Sequence, residues 1–234
     1  MADTQTAPGA QQFIPPGANT LDALRAAAGG CQGCELYRDA TQTVFGRGDA
    51  NARVVFVGEQ PGDVEDRNGL PFVGPAGHLL RKAVDDAGLD PRQLYITNAV
   101  KHFRFELRGK RRIHRTPDRS HIVACRPWLV AEFAHLKPEI VVVLGATAAK
   151  ALLGPSFRVT QSRGVLLPWP DSAERPEDFT RVPLDATGAE GSAPSARLLA
   201  TIHPSAVLRA DNREVAYQGL VADLSVAARA LAAA

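Results

Sequence analysis

The amino-acid sequence predicts an α/β fold, a three-layer αβα sandwich around a central, mainly parallel four-stranded sheet. Four apolar runs of strand length recur along the chain, and segments with helical spacing separate them. Strands of a parallel sheet are buried on both faces, so they form continuous apolar runs. The alternation of strands and helices favours a sheet that helices cover on both faces. The predicted strands are Arg53–Val57, Leu94–Val100, Glu139–Leu144 and Arg197–Ile202.

Four helices are predicted between and after these strands. In the first helix the apolar residues follow helical spacing, and Gly88 marks its end. Pro138 marks the end of the second helix in the same way. A short third helix follows the third strand, and an Ala-rich fourth helix follows the last strand. The predicted helices are Pro75–Ala87, Asp118–Leu136, Ala146–Leu153 and Glu214–Ala232.

The remaining segments indicate a single domain with an N-terminal arm and a surface excursion. Residues 1–20 are rich in Pro, Gly, Ala and Gln, which predicts a flexible N-terminal arm. Residues 21–234 are expected to form a single domain with a surface excursion at 168–196. The sequence has no signal peptide, and no run approaches the roughly 20 apolar residues that span a bilayer. We therefore expect a soluble, cytoplasmic protein that does not contact membranes, and we expect it to be a monomer.

Positive charge is concentrated in one segment of a chain whose net charge is only +2. Between positions 101 and 126, nine basic residues stand against two acidic ones, which gives this segment +7 and the rest of the chain −5. Such a stripe indicates a phosphate-backbone partner, although a solvated basic face is the alternative. The nine residues are Lys101, Arg104, Arg108, Lys110, Arg111, Arg112, Arg115, Arg119 and Arg126.

Three cysteines suggest a metal or redox site. Cys31 and Cys34 form a Cys-x-x-Cys pair, and Cys125 lies in the second predicted helix. In a cytoplasmic chain this pattern argues against a disulfide framework. A thioredoxin-like protein is disfavoured, because the pair precedes the first core strand and does not lie at a strand–helix junction.

Two polar motifs directly follow predicted strands. Gly58-Glu59-Gln60-Pro61-Gly62 follows the first strand, and the segment His203–Arg209 follows the fourth. In open α/β sheets, ligands bind at the carboxyl ends of the strands. We therefore expect the Glu59 carboxylate and the His203 imidazole to face one crevice, which indicates an enzyme or a descendant of one.

Several separate blocks, taken together and in this order, resemble the uracil-DNA glycosylase superfamily and its iron–sulfur family 4 branch. The resemblance covers nearly everything from Cys31 onward and implies the fold of those enzymes. Within that branch, the inserted segment Gly109–His114 resembles the UdgX-type proteins, which become covalently attached to uracil-containing DNA. The blocks are Cys31-x-x-Cys34, Gly58-Glu59-x-Pro61-Gly62, Gly69–Gly74, Thr97-Asn98, Ala124–Pro127 and His203-Pro204-Ser205.

The resemblance implies a pocket that reads a flipped base. Uracil needs one acceptor and one donor side by side, and the carboxamide of Asn98 would supply both to N3–H and O4. Phe72 matches the position of the aromatic ring that stacks on the base. Gly58, Asp63 and Ser205 are assigned to substrate binding on the same grounds.

The resemblance also implies how the glycosidic bond breaks. An oxocarbenium-like sugar and a uracil anion form, and the site must stabilise both charges. His203 would hydrogen-bond the uracil oxygen O2, and Glu59 would stabilise the cationic sugar or orient a nucleophile. Leu208 would enter the DNA as a wedge when the base leaves, and Arg209 would contact phosphate.

An inserted basic loop at residues 103–117 departs from the ordinary family 4 pattern. By itself Lys110-Arg111-Arg112 predicts a phosphate-binding loop in which His114 has no chemical role. The resemblance favours His114 as a nucleophile that captures C1′ before water does. Gln60 stands where ordinary members have a small residue. Our hypothesis is that it takes space or hydrogen bonds that an attacking water needs.

A [4Fe–4S] cluster is expected from the resemblance. Family 4 enzymes have a third cysteine four residues after the uracil-reading Asn, and position 102 is histidine here. The predicted ligands are therefore Cys31, Cys34, His102 and Cys125. A cluster with another fourth ligand, or zinc, is the alternative.

The sequence thus predicts a protein that excises uracil from DNA, preferably single-stranded, and remains linked to the abasic sugar through His114. A multiple-turnover family 4 glycosylase is the first alternative. A non-catalytic iron–sulfur module that binds uracil or single-stranded DNA is the second.

Overall fold

The computed structural model describes residues 9–168 and 196–233. The described strands are β1 (Arg47–Gly48), β2 (Val54–Gly58), β3 (Leu94–Asn98), β4 (Phe105–Arg108), β5 (Arg111–His114), β6 (Ile140–Leu144), β7 (Leu166–Pro168) and β8 (Arg197–Thr201). The described helices are α1 (Leu21–Ala28), α2 (Asp63–Asn68), α3 (Pro75–Asp86), α4 (Arg119–Leu136), α5 (Gly145–Leu153), α6 (Val159–Ser162), α7 (Pro204–Leu208) and α8 (Arg213–Ala232).

The main sheet has six strands in the order β1-β3-β2-β6-β8-β7. Strands β3, β2, β6 and β8 are parallel and are the four strands that the apolar runs predict. Strands β1 and β7 pair antiparallel at the two edges. The prediction of a four-stranded sheet was therefore wrong in number, because edge strands of two and three residues are too short to form an apolar run.

Helices cover both faces of the sheet, as predicted. Along β2, Val54 and Phe56 pack on one face with α3, α7 and α8, whereas Val55 and Val57 pack on the other with α4 and α5. This alternation follows from the two-residue period of a strand. All five residues of β6 are completely buried, which explains why this run reads as apolar from end to end.

Residues 9–20, the described part of the predicted N-terminal arm, make defined contacts with the rest of the protein. A 3₁₀ helix spans Ala10–Phe13, and Ala10 is fully buried. The backbone N–H of Gly9 donates a hydrogen bond to the carbonyl of Gly33 at 3.1 Å. Gly33 lies between the two cysteines of the Cys-x-x-Cys pair. A Cβ at Gly33 would lie 2.7 Å from the backbone of Ala10, so the segment packs directly on the cysteine turn. The composition of this N-terminal segment predicts flexibility, whereas its contacts with the cysteine turn hold the part from Gly9 in place.

The predicted basic loop 103–117 forms a β-hairpin. Strands β4 and β5 pair antiparallel as a separate two-stranded sheet, with Phe105 opposite His114. Gly109 adopts φ 60° at the first position of the two-residue turn, as primed hairpin turns require. The predicted surface excursion 168–196 lies almost entirely outside the described residues. Within the described ranges, no helix is long and apolar enough to cross a membrane.

Candidate active site

A cavity of about 660 Å³ opens at the carboxyl ends of the parallel strands. Glu59 follows β2, Asn98 ends β3, Gly145 follows β6 and His203 follows β8, and all four line the cavity. His114 of the hairpin lines it as well. The structure therefore brings together the carboxylate and the imidazole that the sequence places far apart along the chain.

Two buried side-chain atoms in this cavity have no hydrogen-bond partner. Among the described residues, Glu59 Oε1 and Asn98 Oδ1 are the buried side-chain oxygens or nitrogens left unpaired. Leaving a buried polar group unsatisfied costs about 1–3 kcal/mol, and such groups are rare in native proteins. Both oxygens are acceptors, so the cavity is suited to a ligand that donates hydrogen bonds or carries positive charge.

Asn98 and Phe72 leave no room for a side chain at position 58. A Cβ at Gly58 would lie 2.3 Å from Asn98 Oδ1 and 2.7 Å from Phe72 Cζ. Phe72 adopts φ 53°, an unusual backbone conformation for a residue with a bulky side chain. Its ring lies 5.9 Å from the His203 ring at an angle of 34°. Asn98 and Phe72 both line the cavity and pack against Gly58, so an amide lies beside an aromatic ring.

The hydrogen bonds of His203 define its tautomer. The backbone N–H of Ser205 donates to His203 Nδ1 at 3.1 Å, and the Ser205 hydroxyl lies 2.8 Å from the same nitrogen. Because Nδ1 accepts a hydrogen bond, the ring proton lies on Nε2. Burial lowers the pKa of His203 to about 4, and the charges of Arg209 and His114 act in the same direction. His203 is therefore a neutral donor at pH 7.

His114 Nε2 lies 3.3 Å from Glu59 Oε1. The contact does not have hydrogen-bond geometry, so the carboxylate oxygen stays free. The side chain of His114 is 49% exposed and that of Glu59 is 18% exposed, which places the pair at the mouth of the cavity. Burial and the nearby Arg209 lower the pKa of His114, whereas Glu59 opposes this shift. The imidazole is therefore available as a neutral group.

Gln60 fixes the base of the hairpin. Its Nε2 donates to the carbonyls of Arg104 and Arg115 at 3.1 and 3.0 Å, and its Oε1 accepts from the backbone N–H of Arg104 at 3.0 Å. The side chain lines the cavity, but its hydrogen bonds go to the two chain segments that flank the hairpin. The structure thus gives Gln60 a backbone-clamping contact that the hypothesis of a blocked water does not include.

Arg112 and Asp63 form an ion pair with each other. The guanidinium of Arg112 pairs with Asp63 and, at 2.7 Å, with Asp66, and it lies over the ring of Phe105 at 5.0 Å. Its side chain is only 11% exposed, so these contacts hold Arg112 against the body of the protein, and its contact with DNA phosphate stays a prediction. Asp63 pairs with Arg112 and Arg67 and does not line the cavity, so its role in substrate binding stays a prediction.

The basic stripe is smaller at the surface than its composition suggests. Lys101 is fully buried, and Arg108 and Arg115 both pair with Glu106. In the described part of the chain, Lys110 and Arg111 at the hairpin tip are exposed and make no ion pair. Arg209 also lines the cavity, whereas the half-buried Leu208, at the end of α7, does not.

Glu65 is a cavity residue that the sequence reasoning missed. Its Oε1 accepts from the backbone N–H of Gly74 at 2.7 Å, and its Oε2 accepts from that of Gly62 at 3.1 Å. It therefore ties together the loops that carry Glu59 and Phe72. An acidic residue three positions after the residue that precedes a helix can accept from that residue's backbone N–H, as in one half of a capping box, which could have indicated this contact.

The three cysteines are buried and free in one apolar cluster. The indole N–H of Trp128 donates to Cys31 Sγ, and the backbone N–H of Lys101 donates to Cys125 Sγ, both at 3.2 Å. Burial raises the pKa of the Cys34 thiol to about 11 and that of Cys125 to about 12. Buried sulfurs that accept N–H hydrogen bonds suit a soft metal centre.

The predicted fourth ligand of the cluster is His102. His102 Nε2 lies 3.0 Å from the hydroxyl of Thr43, and burial lowers the pKa of His102 to about 4. Among residues 9–168 and 196–233, no group of three or more His, Cys, Asp or Glu side chains has a metal-binding arrangement. The chemistry of the cysteines therefore fits an iron–sulfur centre, whereas the contacts of His102 neither require nor assign a ligand role.

Known proteins resemble this chain over most of its described length. The model of the uracil DNA glycosylase superfamily matches residues 45–225. The Type-4 uracil-DNA glycosylase of Thermotoga maritima is 36% identical over 140 residues, which cover 59% of this chain and 69% of the relative. The Type-4 uracil-DNA glycosylase of Sulfurisphaera tokodaii is 34% identical over 156 residues, which cover 64% and 68%. The chain belongs to the uracil DNA glycosylase superfamily, in its type-4 branch.

Proposed function

We propose that this protein is a uracil-DNA glycosylase that excises uracil once and remains covalently joined to the abasic sugar through His114. The observation that carries the covalent step is the position of His114. Its Nε2 lies 3.3 Å from the Glu59 carboxylate, at the mouth of a cavity whose inner end presents Asn98 and Phe72. Family membership supports the glycosylase part, and the names of the type-4 relatives describe that activity.

Uracil recognition is assigned to the inner end of the cavity. A flipped base stacks on Phe72 and presents its Watson–Crick edge to Asn98. The unpaired Asn98 Oδ1 accepts from N3–H, and the amide nitrogen donates to O4. Cytosine has an acceptor at N3 and a donor at position 4, so it mismatches both groups. The absence of a side chain at Gly58 keeps the amide and the ring accessible.

Bond cleavage follows from the charges around the base. The C1′–N1 bond breaks heterolytically, its electron pair leaves with uracil, and the sugar becomes an oxocarbenium ion. The Nε2–H of neutral His203 donates to O2 and stabilises the developing anion. The Glu59 carboxylate, whose Oε1 is free, faces the cationic sugar.

Capture by His114 completes the reaction. The neutral imidazole gives a nitrogen lone pair to C1′ and forms the new N–C1′ bond. The proton of the other ring nitrogen leaves, and the uracil anion takes up a proton, so the charges balance. Glu59 orients the ring and stabilises the positive charge that it carries during the step. Gln60 holds the hairpin so that His114 meets the sugar before water does.

DNA binding is assigned to the exposed cations around the cavity. Lys110 and Arg111 at the hairpin tip and Arg209 at the cavity contact phosphates, and Leu208 fills the space that the base leaves. A hairpin that must close over the sugar favours flexible single strands. We propose that the protein acts as a monomer.

We also propose a [4Fe–4S] cluster held by Cys31, Cys34, Cys125 and His102. When bound, it joins the Cys-x-x-Cys segment to α4 and serves a structural role, with no electron transfer in the reaction. Iron analysis and visible absorption test this assignment. Stoichiometric zinc in anaerobically purified protein contradicts it.

A multiple-turnover glycosylase is the second candidate, which the names of the relatives favour. Incubation with a single-stranded uracil oligonucleotide, boiling in detergent and denaturing electrophoresis separate the two. A shifted band that requires uracil and is lost in His114→Ala supports covalent capture. Free uracil and an alkali-labile strand without a shifted band support the second candidate. No shift and no uracil leave only a DNA-binding module.

A further inference from the structure

A fully buried ion pair joins Lys101 to Glu132 beside the strand that ends in Asn98. Lys101 Nζ lies 2.5 Å from Glu132 Oε2, and their side chains are 1% and 0% exposed. The ammonium also donates to the hydroxyl of Thr97 at 2.6 Å and to the backbone carbonyl of Asn98 at 2.9 Å. These three bonds use all three donors of the ammonium group, so its geometry is fully determined.

The Glu132 carboxylate extends the same network across the edge of the sheet. Its Oε1 accepts from the hydroxyls of Tyr95 and Thr97, each at 2.9 Å, and from the backbone N–H of Gly46 at 3.2 Å. Burial raises the pKa of Tyr95, and the negative charge of Glu132 raises it further. The hydrogen bonds to the Glu132 carboxylate therefore fix strand β3 from its buried side.

Stability alone does not explain such a pair. Removing two charges from water costs several kcal/mol per ion, and an apolar pair of similar volume is often equally stable or more stable. The contacts of Lys101 indicate a different role. Its side chain holds the carbonyl of Asn98, and its backbone N–H donates to Cys125 Sγ at 3.2 Å. One residue thus connects the cysteine site to the residue whose amide faces the cavity.

We propose that Lys101 and Glu132 are positioning residues that hold Asn98 in place to read uracil. The inference rests on the proposed function, because it assumes that Asn98 reads the base. Asn98 Oδ1 has no partner on the cavity side, so the bond from Lys101 to the Asn98 carbonyl fixes the residue before a base arrives. Binding groups need a rigid support, since small displacements weaken directional hydrogen bonds.

The test replaces both charges at once, with Lys101→Met and Glu132→Leu in one chain. Affinity is measured for single-stranded DNA that carries 2′-fluoro-deoxyuridine, which resists cleavage, and for the same strand with a tetrahydrofuran abasic analogue. The ratio of the two dissociation constants, which we call uracil's advantage, measures recognition of the base independently of phosphate contacts and turnover. We expect uracil's advantage to fall about tenfold or more in the double variant, and we expect a loss of the same size in Asn98→Ala.

Non-additivity separates positioning from a general structural role. If the pair acts through Asn98, adding Asn98→Ala to the double variant causes no further loss of uracil's advantage. A control removes the half-buried Arg53–Glu139 ion pair, which precedes β2 and β6 at the opposite end of the sheet. Arg53→Met with Glu139→Leu should leave uracil's advantage unchanged, whatever its effect on the melting temperature.

Two results with the double variant would contradict the positioning role of Lys101 and Glu132. A folded double variant that keeps the full advantage, or an additive effect of Asn98→Ala, overturns the proposal even if the melting temperature falls. If the double variant does not fold, Thr97→Val removes the hydroxyl that joins both charges and should reduce the advantage about threefold. No change in that variant also overturns it. A wild-type protein without any preference for uracil overturns the proposed function itself.

Discussion

The side chains of Arg111 and Arg112 are neighbours in sequence but lie on opposite faces of strand β5. Arg111 is exposed near the hairpin tip, whereas Arg112 is 11% exposed and pairs with Asp66 at 2.7 Å. This follows from the alternation of side chains along a strand. Two adjacent arginines therefore differ in their surroundings, because Arg111 faces solvent and Arg112 faces the body of the protein.

The two arginines should respond differently to substitution. Arg111→Ala removes one phosphate contact, so DNA affinity should weaken for all sequences and the salt dependence should decrease by about one ion. Arg112→Met removes a cation that holds the hairpin through Asp63 and Asp66, so the adduct yield should fall while the salt dependence stays the same. Fluorescence anisotropy at several salt concentrations and gel assays measure both effects. Equal salt slopes for the two variants would contradict the assignment.

Gln60 should control how the sugar intermediate is resolved. Gln60→Glu keeps the size of the side chain but loses the donor to the carbonyls of Arg104 and Arg115. A looser hairpin lets water compete with His114, so adduct decreases and free abasic strand increases by several-fold. Single-turnover assays that quantify both products check this ratio. An unchanged ratio would show that the clamp does not affect capture.

The pH dependence follows from the lowered histidine pKa values. Burial keeps His203 neutral down to about pH 4 and lowers the pKa of His114 as well. Uracil release in single turnover should therefore lack the decrease that a pKa near 6.5 would cause between pH 7 and 5.5. Adduct formation should decline only as the pH falls through the lowered pKa of His114. A rate that rises on acidification through pH 6.5 would indicate that an imidazolium is required.

The lowered pKa of His203 also makes the free energy of unfolding depend on pH. In the unfolded chain the His203 imidazole titrates near 6.5, so between pH 6.5 and about 4 the unfolded state binds more protons than the folded state. Stability from this residue is complete above pH 6.5 and decreases as the pH falls, by at most about 1.4 kcal/mol per pH unit. Urea unfolding at pH 7 and pH 5 measures the slope, and His203→Gln should make it shallower.

Gly58 should be essential for base binding, because a side chain at this position meets Asn98 and Phe72. In Gly58→Ala the new methyl group would lie 2.3 Å from Asn98 Oδ1, which is the proposed acceptor for uracil N3–H. Binding of 2′-fluoro-deoxyuridine DNA should lose about tenfold or more relative to the abasic analogue. Gly30→Ala is the control, since its nearest neighbour is 3.8 Å away. Equal affinity ratios in both variants would be inconsistent with this geometry.

The sequence predicts the parallel core well because its strands are apolar runs that need no partner to be recognised. The sequence does not predict the positions of side chains that depend on contacts between distant parts of the chain. The side chain of Arg112 is charged, and only the folded hairpin shows that Asp63 and Asp66 receive it. Lys101 counts as surface charge in the composition, yet Glu132, 31 residues later, makes its burial possible. Such pairings depend on tertiary neighbours that no local pattern reveals.

The contact between Ala10 and Gly33 has a consequence for where the folding unit begins. The family match starts at residue 45, but the segment that closes over the Cys-x-x-Cys turn lies more than thirty residues earlier. A chain cut at the family boundary would lose Cys31 and Cys34 themselves, and it would leave Trp128 and Cys125 without the apolar cover of Ala10, Leu24 and Ala28. Any shortened version intended to retain the cysteine site must therefore begin no later than Gly9.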